Sequence, residues 1–161
     1  MDEGLKQTIL SYIKQHNTVT IATLDATSLW ATALFYANDG FTLYFLSDPK
    51  TRHGRNLVEH PSVAATINED YHDWRSIKGI QLEGTACVVT GRIEKAKAMA
   101  MYLRKYPFVA EFFGSPSKIG KGMFDKVSST TLYKIVPTRI LFIDNEKGFG
   151  HREELTLTLG A

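Results

Sequence analysis

The alternation of apolar and polar positions divides the chain into a leading helix, a run of short strands and a helical insertion. Leu5, Ile9, Tyr12 and Ile13 fall on one stripe at helical spacing, which predicts a helix over 2–16 that stops near Asn17. Residues 18–24 are rich in β-branched side chains and predict a strand. Residues 29–37 and 41–47 predict two more, joined at Asn38-Asp39-Gly40, which suits a tight hairpin. Along the second of these, Phe41, Leu43 and Phe45 take one face and Thr42, Tyr44 and Leu46 the other, so both faces are expected to be covered.

A short helix over 50–59 ends before Pro61. The strand over 62–68 carries Ala64 and Ala65, small enough for something bulky to approach. A long strand over 77–90 places Ile80, Leu82, Ala86 and Val88 on one face and Gln81, Glu83, Thr85 and Cys87 on the other. Gly84 inside it predicts a bulge or a sharp bend. Residues 92–106 predict a helix with a stripe of Ile93, Ala96, Ala100 and Leu103, followed by a shorter helix over 108–114 and a polar loop over 115–122. The last long strand, 130–143, contains Pro137, which points to an edge or a bulge there. Residues 145–161 end in an alternating tail. Hairpin-linked strands in this order favour an antiparallel barrel or sandwich over a parallel sheet.

Composition narrows the class. The chain has 161 residues, 43% of them hydrophobic, and is read as one domain over 1–161 with a sizeable core. A net charge of +2 argues against a general nucleic-acid surface. Cys87 is the only cysteine, so an intrachain disulfide and a cysteine-based zinc site are excluded. It is read as a buried, inert thiol. No signal pattern and no apolar run of membrane-spanning length is present, so the expected setting is the cytoplasm, with no membrane partner.

Candidate chemistry concentrates after the hairpin. Ser47-Asp48-Pro49 suits a helix start, and Lys50, Thr51, Arg52, His53 and Arg55 follow in its first turns. Unpaired amides, a helix dipole and cationic side chains together make an anion site, most simply for a phosphate. An ordinary hairpin leading into a solvated basic helix face is the other reading of the same spacing.

Five stretches in shared order carry a family resemblance: Lys50-Thr51-Arg52-His53, Asn56-Leu57 to His60-Pro61, Lys78-Gly79-Ile80-Gln81-Leu82-Glu83-Gly84, Lys105-Tyr106-Pro107-Phe108-Val109, and Asp144-Asn145-Glu146-Lys147-Gly148-Phe149-Gly150. With them the chain resembles the FMN-binding split-barrel family of pyridoxamine-5'-phosphate oxidase, and most of all its YhbP-type branch. The resemblance implies a mainly β fold: a six-stranded antiparallel split barrel of Greek-key type with peripheral helices. It implies a homodimer with FMN in grooves between the subunits. Thr51, Arg52 and His53 then look like the phosphate-binding group, with His53 where the oxidase has lysine, and Ser47 looks like the polar residue ending the preceding strand. Thr32 and Ala33 lie on the strand whose backbone runs along the isoalloxazine ring. Gln81 and Lys78 match the strand that reaches toward the flavin near the dimer interface. The oxidase has basic residues where this chain has Ala31 and Tyr36, and no counterpart of its basic C-terminal substrate motif is found. These departures argue against pyridoxamine phosphate as substrate, and the resulting expectation is an FMN-dependent oxidoreductase with an unknown small-molecule substrate. A non-catalytic flavin carrier or sensor, or a binder of deazaflavin or haem, is the alternative.

Overall fold

The computed structural model describes residues 3–114 and 129–157. The loop expected over 115–122 and the end of the alternating tail lie outside the described residues. The element order is α1 (Glu3–Gln15), β1 (Thr18–Leu24), β2 (Leu29–Phe35), β3 (Ala37–Asp39), β4 (Thr42–Ser47), α2 (Arg52–Glu59), β5 (Ser62–Asn68), β6 (Lys78–Val88), α3 (Arg92–Lys105), α4 (Pro107–Gly114), β7 (Thr131–Asp144) and β8 (Arg152–Thr156).

All strand pairings are antiparallel, in the order β2-β1-β5-β6-β7-β4-β3. β8 joins β7 along its C-terminal half. The path begins at β2 and finishes at β3, and Tyr36 alone separates these two segments. The sheet therefore curls until its two ends meet in the chain itself. Tyr36 makes the kink. Its amide donates to the Asn17 carbonyl at 3.1 Å, and its buried hydroxyl donates to the Ile13 carbonyl at 2.6 Å. The mainly β, antiparallel split-barrel class expected from the sequence is the one observed. The count differs from six because one expected strand is broken at Tyr36 and the tail adds β8.

The inner face holds the core. Ile21, Ala65, Leu82 and Ile140 form one transverse row of it. Leu5, Ile9, Tyr12 and Ile13 of α1 close one end, along the stripe the spacing predicted. Both faces of β4 are covered: Leu43 and Phe45 point into the core, and Tyr44 lies under α3 with Val89, Ala98 and Leu132. The buried face of α3 is not the expected one. Ala98 and Tyr102 are buried, while Ile93 is 89% exposed. Glu94 selects this face by accepting from the Tyr44 hydroxyl at 3.0 Å and from Lys134 at 2.8 Å.

Gly84 and Pro137 meet at a single bulge. Glu83 pairs with Arg139 and Gly84 with Pro137, which leaves Thr138 unpaired. A Cβ at Gly84 would lie 2.3 Å from the Val136 carbonyl oxygen, so only glycine allows the strands to approach this closely.

Candidate functional site

α2 is built to start where it does. Thr51 is its N-cap, and its hydroxyl accepts from the Gly54 amide at 3.2 Å while donating to the Asp48 carbonyl at 2.7 Å. Gly54 has no room for a side chain, since a Cβ would stand 2.7 Å from the Pro49 carbonyl oxygen. The first turn of α2 is thereby pressed onto the end of β4. His53 comes to lie against Ser47, the last residue of that strand. Its Nε2 is 2.6 Å from Ser47 Oγ and 3.1 Å from Thr51 Oγ1. Ser47 and His53 are both buried. Burial holds the His53 imidazole below its ordinary pKa, so the ring is neutral at pH 7. The proton of Thr51 is committed to Asp48. Ser47 Oγ, His53 Nε2 and Thr51 Oγ1 thus share their hydrogen bonds within one cluster at the start of α2.

Arg52 points the other way, into the turn between β1 and β2. Its Nη2 donates to Asp25 Oδ2 at 3.0 Å and to Ser28 Oγ at 2.5 Å. The guanidinium carbon lies 4.7 Å from the centre of the Trp30 ring. Asp25 accepts the Thr27 and Ser28 amides at 2.9 and 2.8 Å. These amides, more than Arg52, hold its carboxyl well below the usual carboxylate range. Only two of the five guanidinium N–H directions are taken up by these contacts, so the fork retains donors for a further anion. Behind it, Asn56 Nδ2 donates to Thr23 Oγ1 at 3.1 Å, locking α2 onto β1 through two buried groups.

Strand register supplies the rest. Ala33 pairs with Thr20, Thr20 with Thr66, Thr66 with Gln81, and Gln81 with Leu141. Ala31, Ala22, Ala64, Glu83 and Arg139 form the next row. Paired residues share a face, so both rows lie on the outside of the barrel. Most of their side chains are small. Above them run two cavities, of about 290 and 480 Å³, which share Ala22 and Ala64. The larger is walled by Leu24 and Leu29, the residues on either side of the turn that Arg52 grips. The groove thus runs from Gln81 to the Arg52 corner.

The sequence-predicted residues fall into three groups. Ser47, Thr51 and His53 form one cluster, and Arg52 stands beside it at the groove mouth. Ala33 and Gln81 share one outer row, while Thr32 belongs to the inner row of Ile21 and offers the groove only its backbone. Lys78 does not join them. It lies at the far end of β6, bonded to Glu146 at 2.6 Å, whereas Ser62, next after α2, pairs with Thr85. Cys87 is exposed rather than buried. It belongs to the outward parity of Gln81 and Glu83, which already argued against burial. Asp25, Ser28, Thr20 and Ala22 are site residues the sequence did not indicate; of the floor, it indicated Ala33, Gln81 and the small size of Ala64. The described residues hold no cluster of three or more metal-ligating side chains.

A family model described as pyridoxamine 5'-phosphate oxidase matches residues 5–143. The chain belongs to that family. Its relatives include a UPF0306 protein of Klebsiella pneumoniae (strain 342), 32% identical over 141 residues covering 86% of this chain and 84% of the relative. A UPF0306 protein of Yersinia pseudotuberculosis is 26% identical over 88% of this chain and 86% of its own length. These are relatives of the YhbP type expected from the sequence.

Solved structures show the same fold. A putative pyridoxamine 5'-phosphate oxidase from Listeria innocua superposes with a TM-score of 0.66 at 20% identity, covering 87% of this chain and 98% of that one. A haem-binding protein from Mycobacterium smegmatis gives 0.73 at 19% identity, covering 97% of this chain and 59% of the longer mycobacterial chain. HutZ, a haem storage protein from Vibrio cholerae, gives 0.62 at 19% identity over 83% and 89%.

Proposed function

We propose that the chain is an FMN-binding flavoprotein that acts as a homodimer and serves as an oxidoreductase for an unidentified small molecule. One observation carries this reading: a floor of small side chains, running from Ala33 to Gln81, ends at Leu24 and Leu29, which flank the turn that Arg52 grips. A flat ring fits the floor, and a phosphate fits the donors at its end. Bound FMN would supply the electron- or hydride-transfer chemistry. Thr51, through its cap, sets the first amides of α2 toward the phosphate, and Arg52 supplies the charge that neutral His53 does not. Gln81 presents an amide to the ring edge. The floor is exposed in a single chain, and a second copy covering it would exclude water from the ring. Net charge and an exposed Cys87 thiol fit a reducing cytoplasm without nucleic-acid or membrane partners, and no described helix is long and apolar enough to cross a membrane.

Haem is the second reading, supported by what two structural neighbours are named for binding. The donor set favours flavin. Haem iron needs an axial His, Cys, Met or Tyr, and the two outer rows carry none. Adding FMN and haem separately to the purified chain, while following visible absorbance and molecular mass, tests both readings. FMN is expected to bind with a perturbed flavin spectrum, one per chain in a dimer. Ala64→Arg, which fills the floor from an exposed position, is expected to abolish binding without lowering the melting temperature. An unchanged FMN spectrum with the native chain would overturn the flavin reading, and a shifted haem spectrum would replace it.

A further inference from the structure

Another cavity, of about 270 Å³, lies between the ends of α1 and α3 and the start of β3, lined by Lys14, Ala37, Asn38, Met101, Arg104 and Lys105. It is remote from the groove mouth: Thr18 begins β1 near α1, and Leu24, at the other end of β1, walls the groove. Three cations line it and no acid does.

Cations in the last turns of α1 and α3 are favoured by the helix dipoles, which accounts for Lys14 and Arg104 one at a time. Lys105 shares that last turn, and its side chain has further partners. That side chain crosses from α3 to donate to the His16 carbonyl at 2.5 Å, over the Tyr36 ring at 4.3 Å. Burial alone pushes its ammonium down to about 8. Among the described residues no carboxylate pairs with Lys14, Arg104 or Lys105. Asp39, on the same strand as Asn38, is held by Lys97 at 2.5 Å, and Glu94 by Lys134 at 2.8 Å. Elsewhere on the surface cations meet acids, as Lys147 does Glu153 and Arg139 does Glu154. Here three converge on a hollow with no carboxylate among the described residues; Lys105 is met by the His16 carbonyl and the Tyr36 and Tyr106 rings, and the Asn38 amide, which donates one N–H to the Gly40 carbonyl at 2.9 Å, keeps its other for a ligand.

We propose that this cavity binds a small multivalent anion, with Lys14, Arg104 and Lys105 supplying charge and Asn38 a side-chain amide. Arg104 offers a planar fork for two anionic oxygens, and the two lysines act as point charges. Ala37 and Met101 give the walls an apolar part, so the best occupant pairs its charges with a small organic body. A phosphorylated metabolite and a polycarboxylate satisfy this chemistry equally.

The test is calorimetric titration of the full chain at low salt with pyrophosphate and, separately, citrate. Arg52→Ala serves as the background, so that the groove mouth does not compete. At least one probe is expected to bind one per chain and to weaken as salt is raised. Lys14 and Arg104 are exposed, and replacing both with alanine is expected to weaken binding by at least about tenfold with an unchanged circular dichroism spectrum. Binding of pyrophosphate alone would assign the site to phosphate chemistry, and binding of citrate alone to polycarboxylates. Absence of heat with both probes, or binding that survives the double replacement, would overturn the proposal. FMN binding in the native chain is read separately and fails or succeeds on its own.

Discussion

Arg52→Ala separates ligand binding from folding. In the structure Arg52 makes a half-exposed ion pair with Asp25 and lies over Trp30. Such a pair contributes little to folding, and the Asp25 turn is held mainly by the Thr27 and Ser28 amides. The thermal midpoint is therefore expected to stay within a few degrees. A phosphate at the groove mouth would take a charge-assisted contact from the same guanidinium. Losing it costs about 2–3 kcal/mol, or roughly 30- to 150-fold in affinity. The assay is built in. Trp30 is half-exposed beside the mouth, and Trp74 is the only other tryptophan. In a Trp74→Phe background, FMN quenching of Trp30 fluorescence reads occupancy at the site itself. Arg52→Lys keeps the charge but not the fork, and is expected to fall between the two. Unchanged affinity in Arg52→Ala, with quenching intact, would refute the placement of the phosphate.

Further outcomes follow from groups that burial or close packing constrains. His53 is held below its ordinary value of 6.5 by burial, so the unfolded chain takes up its proton first as pH falls below 6.5; stability should drop there, and His53→Asn should flatten that drop in urea midpoints measured from pH 7 to 5. Lys105 is depressed to about 8 from 10.5, so the unfolded state binds more protons above pH 8 and stability should rise with pH from there. Burial raises Tyr36, Tyr102 and Tyr106 above 10.0, so above pH 10 their unfolded forms ionise first and stability should fall again; denaturation midpoints across pH 7.5–11 check the peak, and Lys105→Met should remove the rise. Gly84→Ala forces a methyl to 2.3 Å from a backbone oxygen and should cost about 3 kcal/mol or more, read as a loss of urea midpoint.

Local signals were legible where one residue decides the backbone. Gly84 and Pro137 each announced an irregularity, and they proved to be opposite sides of one bulge. The helix start read at Ser47-Asp48-Pro49 falls later, because Thr51 rather than Asp48 is the cap and α2 begins at Arg52; Asp48 instead accepts the Lys50 amide at 2.8 Å. What sequence could not give was pairing at a distance. That Arg52 would turn to Asp25 and Ser28 depends on how α2 docks on β1, which the buried Asn56–Thr23 bond decides across 33 positions. The buried face of α3 was misread for a similar reason. Its hydrophobic stripe is weak, and the Glu94 contacts with Tyr44 and Lys134, two strand residues, rotate it. Lys78 joined Gln81 through the family resemblance, which matches both to one strand. Three strand positions separate them by about 10 Å, which is enough to put Lys78 beside Glu146 at the other end of the sheet.

The outer groove depends on register more than on any single residue. Ile21, Ala65, Leu82 and Ile140 alternate with Thr20, Thr66, Gln81 and Leu141 along the same strands. A slip of one residue between any pair would bring large core side chains onto the floor and small ones into the core. The inner row prevents this, because Ile21 and Ile140 are fully buried and have no other place to go. The core thus fixes the side of the sheet on which small residues accumulate, and the bulge at Gly84 bends the far wall around it. The flat outer floor of this fold is the outward imprint of core packing, which is why filling it at Ala64 should block the proposed FMN binding while leaving the barrel intact.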